Sequence, residues 1–168
     1  MRLSFLKYQT KSILKSNQSF RGNVPYAQAK SVGIVFTVED KSKHDIVKEF
    51  VRKLELEGKQ ITVITYLPKN RENHEFMFDF FTEKDVSFFG SITSESALRF
   101  ANTSFDFLFY LDTDPNPLLL NVIARSKAKC RVGKFFDKGQ PYFELMLEVK
   151  TGTQSLIDAI YTYASKLH

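Results

Sequence analysis

Tryptophan is absent from this chain of 168 residues, and it has a single cysteine, five prolines and three histidines. The lone Cys130 has no partner for an internal disulfide, which fits a reducing, cytoplasmic compartment. Long apolar runs are missing too. Stretches such as residues 107–111 and 118–120 fall far short of the ~20 residues that cross a bilayer, so no transmembrane segment is expected. Lys7, Lys11 and Lys15 interrupt the continuous apolar stretch a secretory leader needs, and none is expected either. The three histidines, His44, His74 and His168, stand far apart in the chain without a Cys or His neighbour at ligand spacing, which argues against a metal site.

What is present describes a globular protein. The hydrophobic fraction of 43% and charged fraction of 26% are ordinary, and 17 phenylalanines give the chain a phenyl-rich core. A chain of this length fits one domain able to bury roughly 70% of its unfolded surface. The net charge of +5 is unevenly placed. Residues 1–30 hold Arg2, Lys7, Lys11, Lys15, Arg21 and Lys30 with no acidic residue, whereas the rest of the chain has 18 basic and 19 acidic side chains. The sequence therefore divides into a basic N-terminal arm, residues 1–30, and an α/β domain, residues 31–168.

In the arm, Leu3, Leu6, Thr10, Ile13 and Leu14 fall on one side of a 3.6-residue helix, with Lys7, Lys11 and Lys15 as an adjoining row. Residues 16–29, with Gly22, Pro25 and several Ser, Asn and Gln, read as a connector. Val32, Ile34, Val35, Phe36 and Val38 then form a first strand buried on both faces. Ser42 and Asp45 have capping-box spacing ahead of the helical stripe Ile46, Val47, Phe50, Val51 and Leu54, and Gly58 is placed to end that helix. Residues 61–67 are a second buried strand, joined to the first by a right-handed crossover.

Residues 68–75 read as an exposed loop and residues 76–81 as a short third strand. Residues 94–102 are helical, and residues 105–111 carry the strongest strand pattern, which places them centrally in the sheet. Asn116 followed by Pro117 starts a helix over residues 118–125. Residues 130–132 are a strand, and Phe143, Leu145 and Leu147 alternate with polar positions as in an edge strand with one wet face. Leu156, Ile160, Tyr163, Ala164 and Leu167 define a final helix. The expected fold is a single Rossmann-like three-layer α/β domain with a mainly parallel sheet, preceded by a basic helix.

In such a sheet, ligands favour the crevice beyond the carboxyl ends of the strands where the strand order reverses. Two loops qualify. The first strand runs into Thr37, Glu39, Asp40 and Lys41, and the strand at 105–111 into Asp112, Thr113, Asp114 and Asn116. Thr37, Asp40, Asp112 and Asn116 are the candidate ligand-binding residues; the alternative is that Asp and Asn here are ordinary turn and cap residues. The turn after the first strand has no glycine, which removes the dinucleotide fingerprint and the P-loop, so no cofactor is expected. Glu39, Asp40, Asp112 and Lys134 could imitate a receiver phosphoacceptor site, but Asp40 and Asp112 lie too far apart in the chain. Cys130, in an apolar strand, reads as packing rather than a nucleophile, and a solvated loop accounts for Glu72, His74 and Glu75. Lys7, Lys11 and Lys15 are candidate surface-binding residues, for anionic lipid or for nucleic-acid phosphates, unless the helix simply docks and leaves its lysines in water.

These segments resemble an uncharacterised bacterial family of short α/β proteins. The resemblance rests on Ser31-Val32-Gly33-Ile34-Val35-Phe36, on Asp79-Phe80-Phe81-Thr82-Glu83-Lys84-Asp85 through Phe89-Gly90, on Phe105-Asp106, and on Ala128-Lys129-Cys130-Arg131-Val132-Gly133 with residues 142–146. It implies a fold and no catalytic residues. A fainter likeness links residues 105–133 to the N-terminal half of heptosyltransferase-type glycosyltransferases, in which a strand opening Phe-Asp precedes a helix and an Arg-x-Gly segment. Those enzymes work between two such domains, and this chain is too short for the second. The sequence therefore predicts a domain that binds a small molecule or a protein partner without catalysis. The alternatives are a transferase-like half-domain and association of the arm with a membrane surface or nucleic acid.

Overall fold

The computed structural model describes residues 2–74 and 77–168. The elements in chain order are α1 (Arg2–Ser16), β1 (Ser31–Thr37), α2 (Lys41–Leu56), β2 (Gln60–Tyr66), β3 (Asp79–Phe81), α3 (Glu95–Asn102), β4 (Phe107–Tyr110), α4 (Pro117–Arg125), β5 (Cys130–Lys134), β6 (Leu145–Leu147) and α5 (Thr153–Ala164). The strands make one six-stranded sheet in the order β3-β2-β1-β4-β5-β6. Every neighbouring pair is parallel, with Ile34 opposite Val63 on one side and Phe109 on the other. The chain winds outward from β1 through β2 to β3, returns to β4, and winds outward the other way. The order thus reverses between β1 and β4.

Period-two alternation along the central strands divides the core between the two faces. Ile34, Phe36, Phe107 and Phe109 pack with Val47, Phe50 and Leu54 of α2 and with Leu156, Ile157 and Ile160 of α5. Val35, Leu108 and Tyr110 point the other way, onto Ala97 and Phe100 of α3 and Leu119, Val122 and Ile123 of α4. Under the rings of Phe105 and Phe100, β1 has Gly33. A Cβ there would lie 2.6 Å from the Phe105 ring and 2.8 Å from that of Phe100.

The basic helix α1 docks on α4. Leu6 is fully buried, and burial of a leucine side chain is worth about 1.5–3 kcal/mol. Asn121, also fully buried, donates to Thr10 Oγ1 at 2.8 Å. The Asn17 amide donates to the carbonyls of Ala124 and Ser126 at 2.8 and 3.0 Å, serving acceptors that the end of α4 leaves without helical partners. Leu3 stays 54% exposed, and Lys7, Lys11 and Lys15 all face solvent. The connector is tied down by Gly22 N–H donating to the Lys129 carbonyl and Tyr26 N–H to that of Leu167.

Local details differ from the sequence reading in four places. The cap of α2 is Asp40, whose carboxylate accepts Lys43 N–H at 2.8 Å, so the helix begins ahead of Ser42. The third strand spans only Asp79–Phe81; residues 75 and 76, assigned to the loop and strand, lie outside the described residues. The edge strand β6 is covered on both faces, Leu147 joining the core on the α2 and α5 side and Met146 packing against the other. In α5 the inward stripe is Leu156, Ile157, Ile160 and Ala164, while Tyr163 is 55% exposed.

Candidate functional site

The two loops singled out by the strand pattern meet at the reversal between β1 and β4. Thr37 ends β1, and Asp112 follows β4 after Leu111, whose N–H still pairs with Val35. One Asp112 oxygen accepts Thr37 N–H at 2.8 Å and Lys43 Nζ–H at 2.7 Å; the other accepts the Thr37 hydroxyl at 2.6 Å. Asn116 Nδ2 donates to Thr37 Oγ1 at 2.8 Å while its own Oδ1 accepts Leu118 N–H at 3.0 Å, capping α4. Behind them the Tyr110 hydroxyl accepts Asn116 N–H at 2.8 Å. Burial, with the nearby Asp112 charge, holds that phenol well above its ordinary pKa.

Thr37, Asp112 and Asn116 therefore come together, whereas Asp40 stands apart as an exposed helix cap. Lys43 is the member that sequence reasoning missed. Its side chain is 4% exposed, bridges Asp112 and, at 3.0 Å, Glu39, and lies 5.8 Å from the centre of the Phe36 ring. A signal was available, because position 43 continues the inward stripe of Val47, Phe50 and Leu54 at helical spacing. With three donors on it, the Asp112 carboxylate at this crevice is engaged by the protein's own groups. The ensemble fastens β1, β4, α2 and α4 together, and a carboxylate so engaged is poorly placed to act as a general base.

An open site lies beside it. A cleft of about 700 Å³ runs between α1, the start of α4 and the segment after β5. Its walls include Leu14, Pro115, Pro117, Leu120, Phe136 and Tyr142, and Lys7, Lys11 and Lys138 stand at it with Asp137. The outer lip is two successive turns, in which Gly139 N–H donates to the Phe136 carbonyl and Tyr142 N–H to that of Gly139, both at 2.9 Å. Arg131 anchors the lip from below. It is 5% exposed, and its guanidinium donates to both Glu144 oxygens at 2.7 and 3.0 Å and to the Pro141 carbonyl at 3.4 Å.

Of the three candidate surface lysines, Lys7 and Lys11 line this cleft and Lys15 does not. Lys138, Phe136 and Tyr142 carry no signal in the chain, because nothing in their spacing distinguishes a cleft wall from a loop. Elsewhere the fold brings together what the chain separates: the rings of His44 and His74 lie 5.7 Å apart. Among the described residues no group of three or more His, Cys, Asp or Glu is arranged to hold a metal ion. Cys130 is buried in β5, and burial, helped by Glu144, pushes its thiol up to about 11.

Comparison with curated proteins and with solved structures finds no match. Residues 2–167 do match a family profile, covering the arm, the sheet and the cleft alike, and the chain belongs to the family of unknown function DUF6913.

Proposed function

We propose that the protein is a non-catalytic binding domain and that its ligand is a small anion with an apolar body, held in the cleft between α1, α4 and the turns after β5. The observation that carries this reading is the pairing of a reversal point whose carboxylate is engaged within the protein with an open neighbour. Asp112 and Lys43 satisfy each other where enzymes of this topology usually hold substrate, and the adjacent space has apolar walls and three lysines against one aspartate. Lysines recognise an anionic head as point charges, while Leu14, Phe136 and Tyr142 offer apolar surface to the body attached to that head.

In this reading Thr37, Asp112 and Asn116 position the Pro115–Pro117 wall rather than touch the ligand, and Asp40 only caps α2. The arm, residues 1–30, is a distinct segment whose helix completes a site on the domain of residues 31–168. The likeness of residues 105–133 to heptosyltransferase-type domains agrees with a half-domain that keeps binding without transfer. The unpaired, buried Cys130 agrees with a reducing compartment such as a bacterial cytoplasm.

The test is a titration of the full chain with anilinonaphthalene sulfonate and with dodecanoate, monitored by dye fluorescence and by thermal shift. One saturable site is expected, with affinity lowered several-fold by Lys138→Glu and by the cleft-filling Leu14→Trp. Binding that neither substitution alters places the ligand elsewhere. A stabilising shift with a sugar nucleotide that disappears in Asp112→Asn would favour the transferase-like alternative instead.

A further inference from the structure

Where α1 meets residues 86–92, three exposed phenylalanines gather. Residues 86–92 form a small hairpin, closed by an antiparallel bridge between the buried Val86 and Ile92 and by Ser87 N–H donating to the Ser91 carbonyl at 2.8 Å. Its turn is Ser87-Phe88-Phe89-Gly90, with Gly90 N–H donating back to Ser87 at 2.9 Å. Gly90 has a φ of 81°, and a Cβ there would lie 2.4 Å from Leu6 N, so the turn sits hard against α1 in a way only glycine permits. Gln9 Nε2 donates to the Phe89 carbonyl at 3.1 Å and to Ser91 Oγ at 2.9 Å. The tip is thereby fixed with Phe88 52% and Phe89 67% exposed, beside Phe5 at 41%.

Turn tips are ordinarily filled by Gly, Asn, Asp or Ser, and two phenylalanines in water at a rigid tip, touching only each other and Phe5 in the ring contacts among the described residues, are an exposed apolar surface. The solvent face of the helix that supplies Phe5 is cationic: Lys7, Lys11 and Lys15 are exposed on α1, as is Tyr8 at 75%. We propose that this surface docks on an anionic lipid bilayer, the three phenyl rings entering the headgroup boundary and the lysines of α1 meeting lipid phosphates. Two weak signals, an apolar wedge and a basic patch, are the combination that gives reversible membrane attachment.

Single-stranded nucleic acid fits less well. Base stacking needs open ring faces laid out along a groove. Here Phe88 and Phe89 meet edge to face at 5.5 Å with planes at 89°, and Phe5 meets Phe89 at 75°, which makes a compact wedge rather than a platform. No helix among the described residues is long and apolar enough to cross a membrane, so attachment by this surface would be interfacial.

The experiment is co-sedimentation of the full chain with vesicles of phosphatidylcholine alone and of phosphatidylcholine with an equal share of phosphatidylglycerol. Binding to the mixed vesicles only is expected, falling as salt rises and dropping roughly tenfold or more in the Phe88→Ser/Phe89→Ser double variant. That variant removes exposed rings, and unchanged thermal stability and cleft-dye binding will establish that it folds. As a second readout, Phe88→Trp gives the chain its one tryptophan, whose emission should shift to the blue on mixed vesicles alone. The proposal is overturned if the chain stays in the supernatant at low salt, or if the double variant sediments like the parent. Tighter binding to an oligouridine than to the vesicles would also overturn it, as would a dimer in solution that the double variant abolishes.

Discussion

Removal of the Asp112 carboxylate should destabilise the protein strongly. In Asp112→Ala, Lys43, 4% exposed, loses its partner at 2.7 Å, Thr37 N–H loses its acceptor, and the Thr37 hydroxyl loses its partner at 2.6 Å. Breaking a buried ion pair by deleting one member costs about 3–5 kcal/mol. Lys43 retains Glu39 at 3.0 Å and the Phe36 ring, which places the expected loss at the lower end, about 3 kcal/mol. For a chain of this size that is a fall of roughly 6–12 °C in Tm. Chemical denaturation with m held constant measures it directly. Replacing both partners, as in Lys43→Met/Asp112→Leu, leaves no orphan charge and should recover most of the loss. A loss below about 1 kcal/mol in the single variant, or a double variant no better than the single, would refute the buried pair as the fastener of the sheet.

Three other contacts have consequences that can be measured. Gly90→Ala must place a methyl group against the backbone of α1 at a positive φ; it should loosen α1, seen as faster amide exchange at residues 6–10, and protection equal to the parent would contradict the packing. Cys130, with its thiol pushed up to about 11 by burial and by Glu144, should react with a disulfide reagent at pH 8 only as fast as the domain opens, and at full speed in denaturant; rapid labelling of the native chain would contradict this. Asp106 is held below the usual carboxylate range: burial alone would raise it, but Lys129 at 2.9 Å and the N–H groups of Lys30 and Ser31 outweigh that. A depressed native pKa contributes stability that is present above the unfolded value of about 3.9 and is lost as pH falls through the native one. The parent should therefore lose stability more steeply than Asp106→Asn below about pH 4, and parallel acid profiles would remove the claim.

Much of the fold was legible in the chain because the parallel sheet is buried on both faces. Residues such as Ile34, Val63 and Leu108 sit in short, nearly continuous apolar runs, and runs of that length bounded by turns admit few other structures. Caps were legible where chemistry allows one solution, as at Asn116-Pro117, and misread where two residues qualified, as at Asp40 and Ser42. The short edges β3 and β6 were the least distinct, since three residues carry little periodicity and their exposure depends on what covers them. Leu6 is the clearest case of information absent from local pattern. A basic amphipathic helix reads the same docked or free. The hydrogen bonds that decide it join Thr10 to Asn121 and Asn17 to Ala124, pairs separated by 111 and 107 positions in the chain.

The site was harder to read for a reason that lies in the topology itself. A rule that points to the reversal of strand order identifies where backbone ends and loops diverge, and hence where space exists unless side chains fill it. Here Lys43 reaches from the first turn of α2 to Asp112, and the polar residues Thr37, Asp112 and Asn116 are hydrogen-bonded through one another. The open cleft lies on the flank, where α1 contributes a wall from outside the doubly wound unit. Residues of that wall come from separate segments, around positions 7–14, 115–120 and 136–142, and each segment alone has the composition of a helix face or a turn. A cleft made by docking an extra helix on the flank of the sheet leaves no contiguous motif, and the docking contacts of Leu6, Thr10 and Asn17 become the condition for its existence. On that reasoning, any change that frees α1 should abolish cleft binding while leaving the six-stranded sheet intact.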